Sequence, residues 1–297
     1  MSRGPTPSAA RRVPVGMRYM AVGALFFSLM SLLVKVAGQR LPSQEVVLGR
    51  AVVMGVLAYW GVRRAGMAIW GNQRKLLFAR GLIGFAALSA FYYAYIHLPL
   101  ADATVVQYTS PIFAGLVAVK VLDEKLRLRE IVAVVAGLAG VVIVTRPPFL
   151  FGSAGEHLDT VAILIALGGA IASASAYVIV RKLRTTEAPL VIIFYLSVVS
   201  FVGSIPLALP HALWPTPTEW LALVGVGVTA YLGQIAITHG LHRERAGRAT
   251  AVGYLQIVFA AVWGALAFAE YPDLFTVLGA VLIVGSTIFL ARDGAPA

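Results

Sequence analysis

Long apolar stretches recur along nearly the whole chain, and they restrict its fold more than any other feature. Each holds about twenty residues, enough for a helix to cross the ~30 Å hydrocarbon core of a bilayer. Only a helix lets such a segment satisfy its own backbone polar groups. The sequence therefore predicts an all-α integral membrane protein with ten transmembrane helices. They are predicted at residues 17–37, 45–62, 76–97, 102–121, 130–146, 160–181, 188–208, 219–240, 248–269 and 273–291.

Composition and charge agree with a membrane location. Charged residues make up 12% of the chain, about half the fraction that is usual in a soluble domain. The net charge of +11 is also typical of nucleic-acid-binding proteins, but here the basic residues form short clusters between the apolar stretches. Clusters in such places set topology and contact anionic lipid. We therefore expect membrane lipid, and no nucleic acid, as a partner.

The basic residues also predict the direction of insertion. With the N-terminus inside, nineteen of the 24 Lys and Arg residues fall in inner segments. The exceptions are Arg40 and Arg146 outside, and Lys35, Arg50 and Arg80 within spans. An excess of this kind marks the cytoplasmic side. We expect a multi-pass protein of the plasma (inner) membrane with both termini in the cytoplasm.

A repeat divides the chain into two halves. Residues 103–128 reappear, ungapped, as residues 249–274, with eight identities. The basic residues of the first copy are absent from the second, where Lys120 faces Leu266. Five spans per half is an odd number, so the second half must be inverted relative to the first. The sequence predicts two inverted five-helix repeats.

These signals predict the organisation of the chain. The predicted segments are a disordered cytoplasmic tail at 1–16, a first repeat at 17–147, an outer linker at 148–159 and a second repeat at 160–292. A single chain contains both repeats, so a monomer suffices, although faces of small residues would allow a homodimer.

The stretch Phe91 to Leu126 has an aromatic-rich third span at Tyr92 and Tyr93, followed by a short turn. An A-x-A pattern then enters the fourth span, Pro111 stands in its middle and Glu124 lies just beyond it. This stretch resembles the EamA branch of the drug/metabolite transporter superfamily. The resemblance implies ten spans and transport without a cofactor, but not a substrate, and bacterial amino-acid exporters are the relatives that we expect first.

Acidic residues are absent from the predicted membrane interior. All thirteen Asp and Glu residues fall in loops, tails or span ends. A proton- or sodium-coupled pump usually places such a group at mid-membrane. The sequence therefore favours facilitated exchange, and it offers no motif for a catalytic group, a cofactor or a metal.

Several polar and aromatic residues lie at depths from which they can face a cavity. The resemblance implies that spans one, three, four, six, eight and nine line such a cavity, which would suit a small amphipathic solute. For any single tyrosine, interfacial anchoring or helix packing is an equal alternative. The candidate substrate-binding residues are Ser31, Tyr92, Tyr93, Gln107, Tyr108, Ser110, Tyr177, Tyr231, Gln234, Tyr254 and Gln256.

Four further positions carry hypotheses about charge and movement. Pro111 predicts a kink or hinge in the fourth span, because it cannot donate to the carbonyl of Gln107. Arg50 has two interpretations, snorkelling to the outer interface or attraction of an anion, whereas Arg80 and Lys35 are expected to snorkel.

Glu124 and Glu270 match across the repeat. We expect Glu124 to end a helix and pair locally with Lys125 or Arg127, and Glu270 is a candidate gate residue.

The leading functional hypothesis is a secondary transporter, most simply an exporter of amino acids or related metabolites. An uptake permease for a vitamin or nucleotide-like solute is the alternative. An integral-membrane enzyme acting on lipid would need paired carboxylates, a histidine cluster or metal ligands, and none is evident. A channel would need a filter element and assembly around an axis. The sequence favours a transporter over both.

Overall fold

The computed structural model describes residues 13–98, 100–125, 127–151, 159–268 and 272–292. Ten helical spans within these ranges are long and apolar enough to cross a membrane, which confirms the predicted fold class. They are labelled α1 to α10, and the fourth and ninth are each broken in two. Their bounds are α1 Val15–Ala37, α2 Ser43–Arg64, α3 Arg74–His97, α4a Leu100–Gln107, α4b Ser110–Leu122, α5 Leu128–Thr145, α6 Thr160–Lys182, α7 Pro189–Ala208, α8 Pro217–Arg243, α9a Ala246–Val252, α9b Leu255–Phe268 and α10 Leu274–Arg292.

The predicted tail and linker fall mostly outside the described residues. The first helix begins at Val15, two residues before the predicted start of the first span. At the start of the predicted linker, Pro148–Phe151 form a short helix.

Side-chain caps fix where two of the spans begin. The Asp159 carboxylate accepts hydrogen bonds from the backbone N–H groups of Val161 (2.8 Å) and Ala162 (3.3 Å) at the start of α6. At the start of α8, Thr216 and Glu219 form a capping box. Both caps satisfy N–H groups that have no partner inside the helix.

Helix packing follows the repeat. Between the halves, α1 packs against α8 and α3 packs against α6. Exchanging the two halves turns α1 into α6 and α8 into α3, so each contact becomes the other. The same holds for α2 with α8 and α3 with α7. Individual contacts agree, because Gly23 meets Ile237 and Gly169 meets Phe91. Gly169 lies 146 residues after Gly23, and Ile237 lies 146 residues after Phe91, so the two contacts are repeat equivalents. The halves are therefore related by a pseudo-two-fold axis.

The connections at the two ends of α7 show the inversion directly. The Tyr195 hydroxyl, near the start of this helix, donates to the carbonyl of Trp70 in the α2–α3 connection (2.9 Å). Beyond its other end, the backbone N–H of Leu213 donates to Glu45 at the start of α2 (2.9 Å). A helix of this length separates its ends by about 30 Å. The α2–α3 connection and its repeat counterpart, the α7–α8 connection, thus lie at opposite ends of the bundle.

Direct backbone contact between α5 and α10 requires glycine. A Cβ at position 279 would lie 2.6 Å from the carbonyl oxygen of Gly140. We expect Gly279→Ala to destabilise the protein by about 1–3 kcal/mol through overpacking, and so to lower its thermal unfolding midpoint in detergent. Gly285→Ala in the same helix is the control, since a Cβ there meets nothing within 4 Å. Equal midpoints for both variants would contradict this packing.

Candidate functional site

A cavity of about 170 Å³ lies between the two halves. It is lined by α1, α2, α3 and α4a of the first half and by α6, α7, α8 and α9b of the second. Six of these spans are those implied by the resemblance, and α2 and α7 are additional. The polar side chains in the lining are Arg50, Arg80, Gln107, Ser173, Tyr177, Ser197, Ser200, Gln234 and Gln256.

Arg80 lies in the wall of this cavity, so the expectation that it snorkels to the membrane surface is wrong. It is 3% exposed, and its Nη1 atom rests against Gly84, one turn further along α3. Any Cβ at position 84 would occupy the space of that nitrogen. The glycine therefore lets the guanidinium lie along α3 and face the cavity.

Arg50 enters the same cavity from α2. Within the described ranges, the Nε atoms of Arg50 and Arg80 are both shielded from solvent and have no hydrogen-bond partner. No described Asp or Glu lines the cavity, and neither arginine forms an ion pair with a described residue. The cavity therefore carries positive charge without a carboxylate from the described part of the chain.

Neutral polar groups complete the wall. Glutamines reach the cavity from three different helices, as Gln107 on α4a, Gln234 on α8 and Gln256 on α9b. The side-chain amide of Gln256 also donates to the Ser31 hydroxyl at 3.4 Å. The wall thus combines apolar surface with amides that can both donate and accept hydrogen bonds.

The fourth span breaks immediately before Pro111. Instead of continuing the α-helical pattern, the backbone N–H of Thr109 bonds to Val106 (3.1 Å) and that of Ile112 bonds to Thr109 (3.0 Å). Each bond spans three residues, which tightens the turn. The kink predicted from Pro111 is present as an interruption between α4a and α4b. It leaves the carbonyl of Tyr108 without its usual helical donor, the N–H of Ile112.

The ninth span breaks at the equivalent depth, although it has no proline there. Gly253 and Tyr254 lie between α9a and α9b, and their N–H groups bond to Thr250 (3.0 Å) and Ala251 (3.3 Å), again three residues back. No proline predicts this interruption, because Ile257 replaces Pro111 in the second copy. Gly253 was the available signal, since glycine weakens a helix interior.

The two breaks touch each other. The hydroxyl of Tyr254 donates to the carbonyl of Tyr108 (3.1 Å), and the two rings lie 5.8 Å apart. Because Tyr108 and Tyr254 are 146 residues apart, they are repeat equivalents, and two equivalent residues in contact must lie near the pseudo-two-fold axis. Tyr254 is fully buried, with its ring against Gly137. It supplies the missing donor to the broken fourth span.

The candidate residues divide into three groups by position. Those in the main cavity are Arg50, Gln107, Tyr177, Gln234 and Gln256. A smaller adjoining cavity, of about 80 Å³, is lined by Tyr108, Ser110 and Pro111 together with Gln107, Tyr177 and Gln256. Those in neither cavity are Ser31, Tyr92, Tyr93, Tyr231 and Tyr254.

Buried ion pairs join the halves at the end of the bundle where α1 begins. Arg181, at the end of α6, pairs with Glu124, which also accepts a hydrogen bond from the backbone N–H of Ala246 (3.1 Å). Arg245 pairs with Glu130 at 2.8 Å. The expectation that Glu124 pairs with Lys125 or Arg127 is wrong, because its carboxylate forms its ion pair with Arg181 of the other repeat.

Two further residues complete this cluster. Arg248 pairs with Glu244 (3.6 Å) and donates to the carbonyl of Leu290 in α10 (2.7 Å). Both side chains are at most 8% exposed. Burial raises the pKa of the Glu244 carboxyl. We call Glu124, Glu130, Arg181, Glu244, Arg245 and Arg248 the ion-pair cluster.

The opposite end of the bundle has ion pairs that face solvent. Arg40 and Glu219 pair at 2.6 Å and Arg146 and Asp273 at 2.8 Å, with both arginines almost half exposed. The pKa of the Asp273 carboxyl is lowered chiefly by a hydrogen bond from the backbone N–H of Thr276, and next by one from the Thr276 hydroxyl. Exposed pairs contribute little stability. Of the ion pairs that the structure describes, the buried ones therefore lie at one end. Glu270, the candidate gate residue, lies outside the described residues.

The fold and the cavity define a class, the multi-pass membrane proteins built from two inverted repeats around a central cavity. The model of the EamA-like transporter family matches residues 14–146 and again residues 160–292, and the chain belongs to this family. The two matches are offset by the same 146 residues as the repeat. Membership indicates transport of a small solute and points away from an enzyme.

The chain is similar to transporters from distant organisms. It is 34% identical to the pseudopaline exporter CntI of Pseudomonas aeruginosa, over 92% of this chain and 95% of that protein. It is 32% identical to human solute carrier family 35 member G1, over 95% and 81%. It is 26% identical to the S-adenosylmethionine uptake transporter of Rickettsia prowazekii, over 93% and 92%. A solved crystal structure superposes with a TM-score of 0.80 at 20% identity, covering 93% of this chain and 97% of the other, which shows a shared fold.

We expect Tyr254→Phe to destabilise the protein by about 1–2 kcal/mol, since it removes the hydrogen bond from the hydroxyl of the buried Tyr254 ring to the carbonyl of Tyr108. Thermal unfolding in detergent would measure the loss. Tyr195→Phe is the matched control, because its hydroxyl bonds to Trp70 in an exposed place where water can substitute. A larger loss from Tyr195→Phe would contradict the assigned role of Tyr254.

Proposed function

We propose that this protein is a secondary transporter that exports small amphipathic metabolites, amino acids foremost, by alternating access around the central cavity. One observation carries the proposal: a polar cavity lies between two inverted repeats, next to their broken helices. Inverted-repeat transporters bind substrate at such places. The similarity to the pseudopaline exporter supports export.

The ion-pair cluster is proposed as the cytoplasmic gate. Two of its three ion pairs run between the repeats, Glu124 with Arg181 and Glu130 with Arg245, so movement of one repeat against the other must separate them. The break before Pro111 is proposed as the hinge. Glu270, the repeat equivalent of Glu124, is proposed to act at the outer end.

Uptake of a vitamin or nucleotide-like solute is the second candidate. The observation in its favour is the similarity to the S-adenosylmethionine uptake transporter. No described carboxylate lines the cavity to bind a coupling ion. The direction of net flux would then follow the gradient of the solute, and one mechanism would serve export or uptake.

Counterflow in proteoliposomes tests transport directly. Vesicles loaded with one unlabelled solute are diluted into the same labelled solute, over a panel of amino acids, vitamins and nucleotides. A transporter gives transient, saturable accumulation that requires the internal solute. Accumulation that never saturates would indicate a channel. Vesicles of known orientation would then separate export from uptake.

The proposed topology predicts which side of the membrane reaches each connection. The chain contains no cysteine, so Trp70→Cys and Leu213→Cys each introduce a single label site. We expect an impermeant maleimide to label position 213 in intact cells and position 70 only in inverted vesicles. Labelling of both positions from the same side would refute the inverted arrangement.

The proposed gate predicts the effect of breaking one ion pair. Glu124→Gln leaves the buried Arg181 without its carboxylate, which strongly disfavours the closed arrangement. In a Ser110→Cys background we expect cytoplasmic maleimide to label the smaller cavity at least severalfold faster. Glu219→Gln, at the opposite end, is the control and should not raise this rate. Exchange of the two charges, as Glu124→Arg with Arg181→Glu, should restore slow labelling.

A further inference from the structure

The charge of the central cavity is set by two arginines. Arg50 and Arg80 bring two guanidinium groups, which stay protonated in proteins, into one cavity of about 170 Å³. No described Asp or Glu in its lining neutralises them. Cations removed from water need a partner. We propose that the ligand of this cavity is an organic dianion, and that each arginine binds one of its two acidic groups.

The hydrogen-bonding state of the arginines supports this assignment. The Nε atoms of Arg50 and Arg80 are buried without a hydrogen-bond partner in the described structure. The Nε of Arg248 is too, but Arg248 belongs to the ion-pair cluster and has Glu244 as its partner. An Nε and a neighbouring Nη together form the planar fork that holds a carboxylate or phosphate through two parallel hydrogen bonds. Each arginine therefore has one donor of such a pair, its Nε–H group, free of other partners and shielded from solvent.

The two arginines reach the cavity from opposite directions. Arg50 lies seven residues after Ser43, where α2 begins, and Arg80 lies six residues after Arg74, where α3 begins. These separations correspond to about 10 Å and about 9 Å along helices that start at opposite ends of the bundle. Such a placement fits a ligand with an acidic group at each end better than a ligand with a single acidic group.

The fold does not require these charges. The repeat equivalents of Arg50 and Arg80 are Leu196 and Val226, so the second half builds the same helices with apolar residues at both positions. Two cations in a cavity wall, each with a buried and unpartnered Nε, are costly, and here one repeat alone carries them. Their position in the cavity wall assigns them to ligand binding.

The inference rests on the proposed function only in taking this cavity as the transport site, so binding is tested apart from transport. Thermal unfolding of the detergent-solubilised protein is measured with glutarate and with its monoamide, and with glutamate and glutamine. Each pair has nearly the same shape and differs by one negative charge. We expect the dianion, or the acidic amino acid, to bind about 10–100-fold more tightly than its amide, as the loss of a charge-assisted hydrogen bond implies.

Substitution of each arginine tests whether it binds one of the two acidic groups of the ligand. In Arg50→Gln and in Arg80→Gln we expect the preference for the dianion over its monoamide to fall to about onefold, because one acidic group loses its partner. Arg63→Gln removes an equal charge from the exposed last turn of α2 and should keep the preference. If a variant does not fold, Arg80→Lys and Arg50→Lys retain the charge and should keep part of the preference.

The outcomes separate the two proposals. Suppose that the unmodified protein binds acid and amide equally and shows saturable counterflow of neutral solutes. This result would overturn the proposal of a dianionic ligand and would still support the proposed transport function. A dianion preference lost in both glutamine variants, without counterflow of any dianion, would support the site and overturn its role in transport. A preference that survives both variants would overturn the assignment to Arg50 and Arg80.

Discussion

In hydrocarbon a peptide group finds no water, so each N–H and C=O must be satisfied by the protein itself. The ten spans meet this constraint as helices, but α4 and α9 are interrupted in the interior. The interruptions are tolerated because they face each other: tightened turns satisfy the N–H groups, and the Tyr254 hydroxyl satisfies the carbonyl of Tyr108. Irregular backbone at the centre therefore depends on the second repeat, and so does the cavity beside it.

The repeats share a backbone but differ in chemistry. Arg50 and Arg80 correspond to Leu196 and Val226, and Pro111 corresponds to Ile257, although both halves break their fourth helix. Duplication thus provides a symmetric frame, and substitution within one half gives the cavity its charge. A symmetric frame allows two equivalent arrangements of the halves, which alternating access requires. A one-sided distribution of charge lets one ligand bind in a defined orientation.

Much of this arrangement could be predicted from the sequence. Apolar length gave the number of spans, the odd number of spans per repeat gave the inversion, and mid-depth position found Gln107, Gln234 and Gln256 in the cavity. Position along the span did not predict that Arg80 lines the cavity, because a residue near a helix end can extend to the membrane surface or turn inward. Which of these it does depends on the helix face and on the space above Gly84, and neither can be known before the helices pack.

The partner of Glu124 was missed for a related reason. Sequence proximity favoured Lys125 and Arg127, whereas packing brings in Arg181 from 57 residues away. The repeat held a signal for it: Glu124 corresponds to Glu270 and Arg181 corresponds to Lys35, so both positions keep their charge in both halves. A pair of opposite charges retained at equivalent places is better evidence for contact than nearness along the chain.

Ion pairs are physically suited to the proposed gate. Bringing two charges together in a buried place gains Coulomb energy but costs hydration, and the two terms nearly cancel. When the repeats separate and water enters, both charges recover their hydration, so opening costs little as long as both partners are present. Removing one partner upsets the balance by about 3–5 kcal/mol, since the other charge stays desolvated. A gate of matched charges can therefore close specifically and still open readily, which a seal of apolar side chains exposed to water on opening cannot do as cheaply.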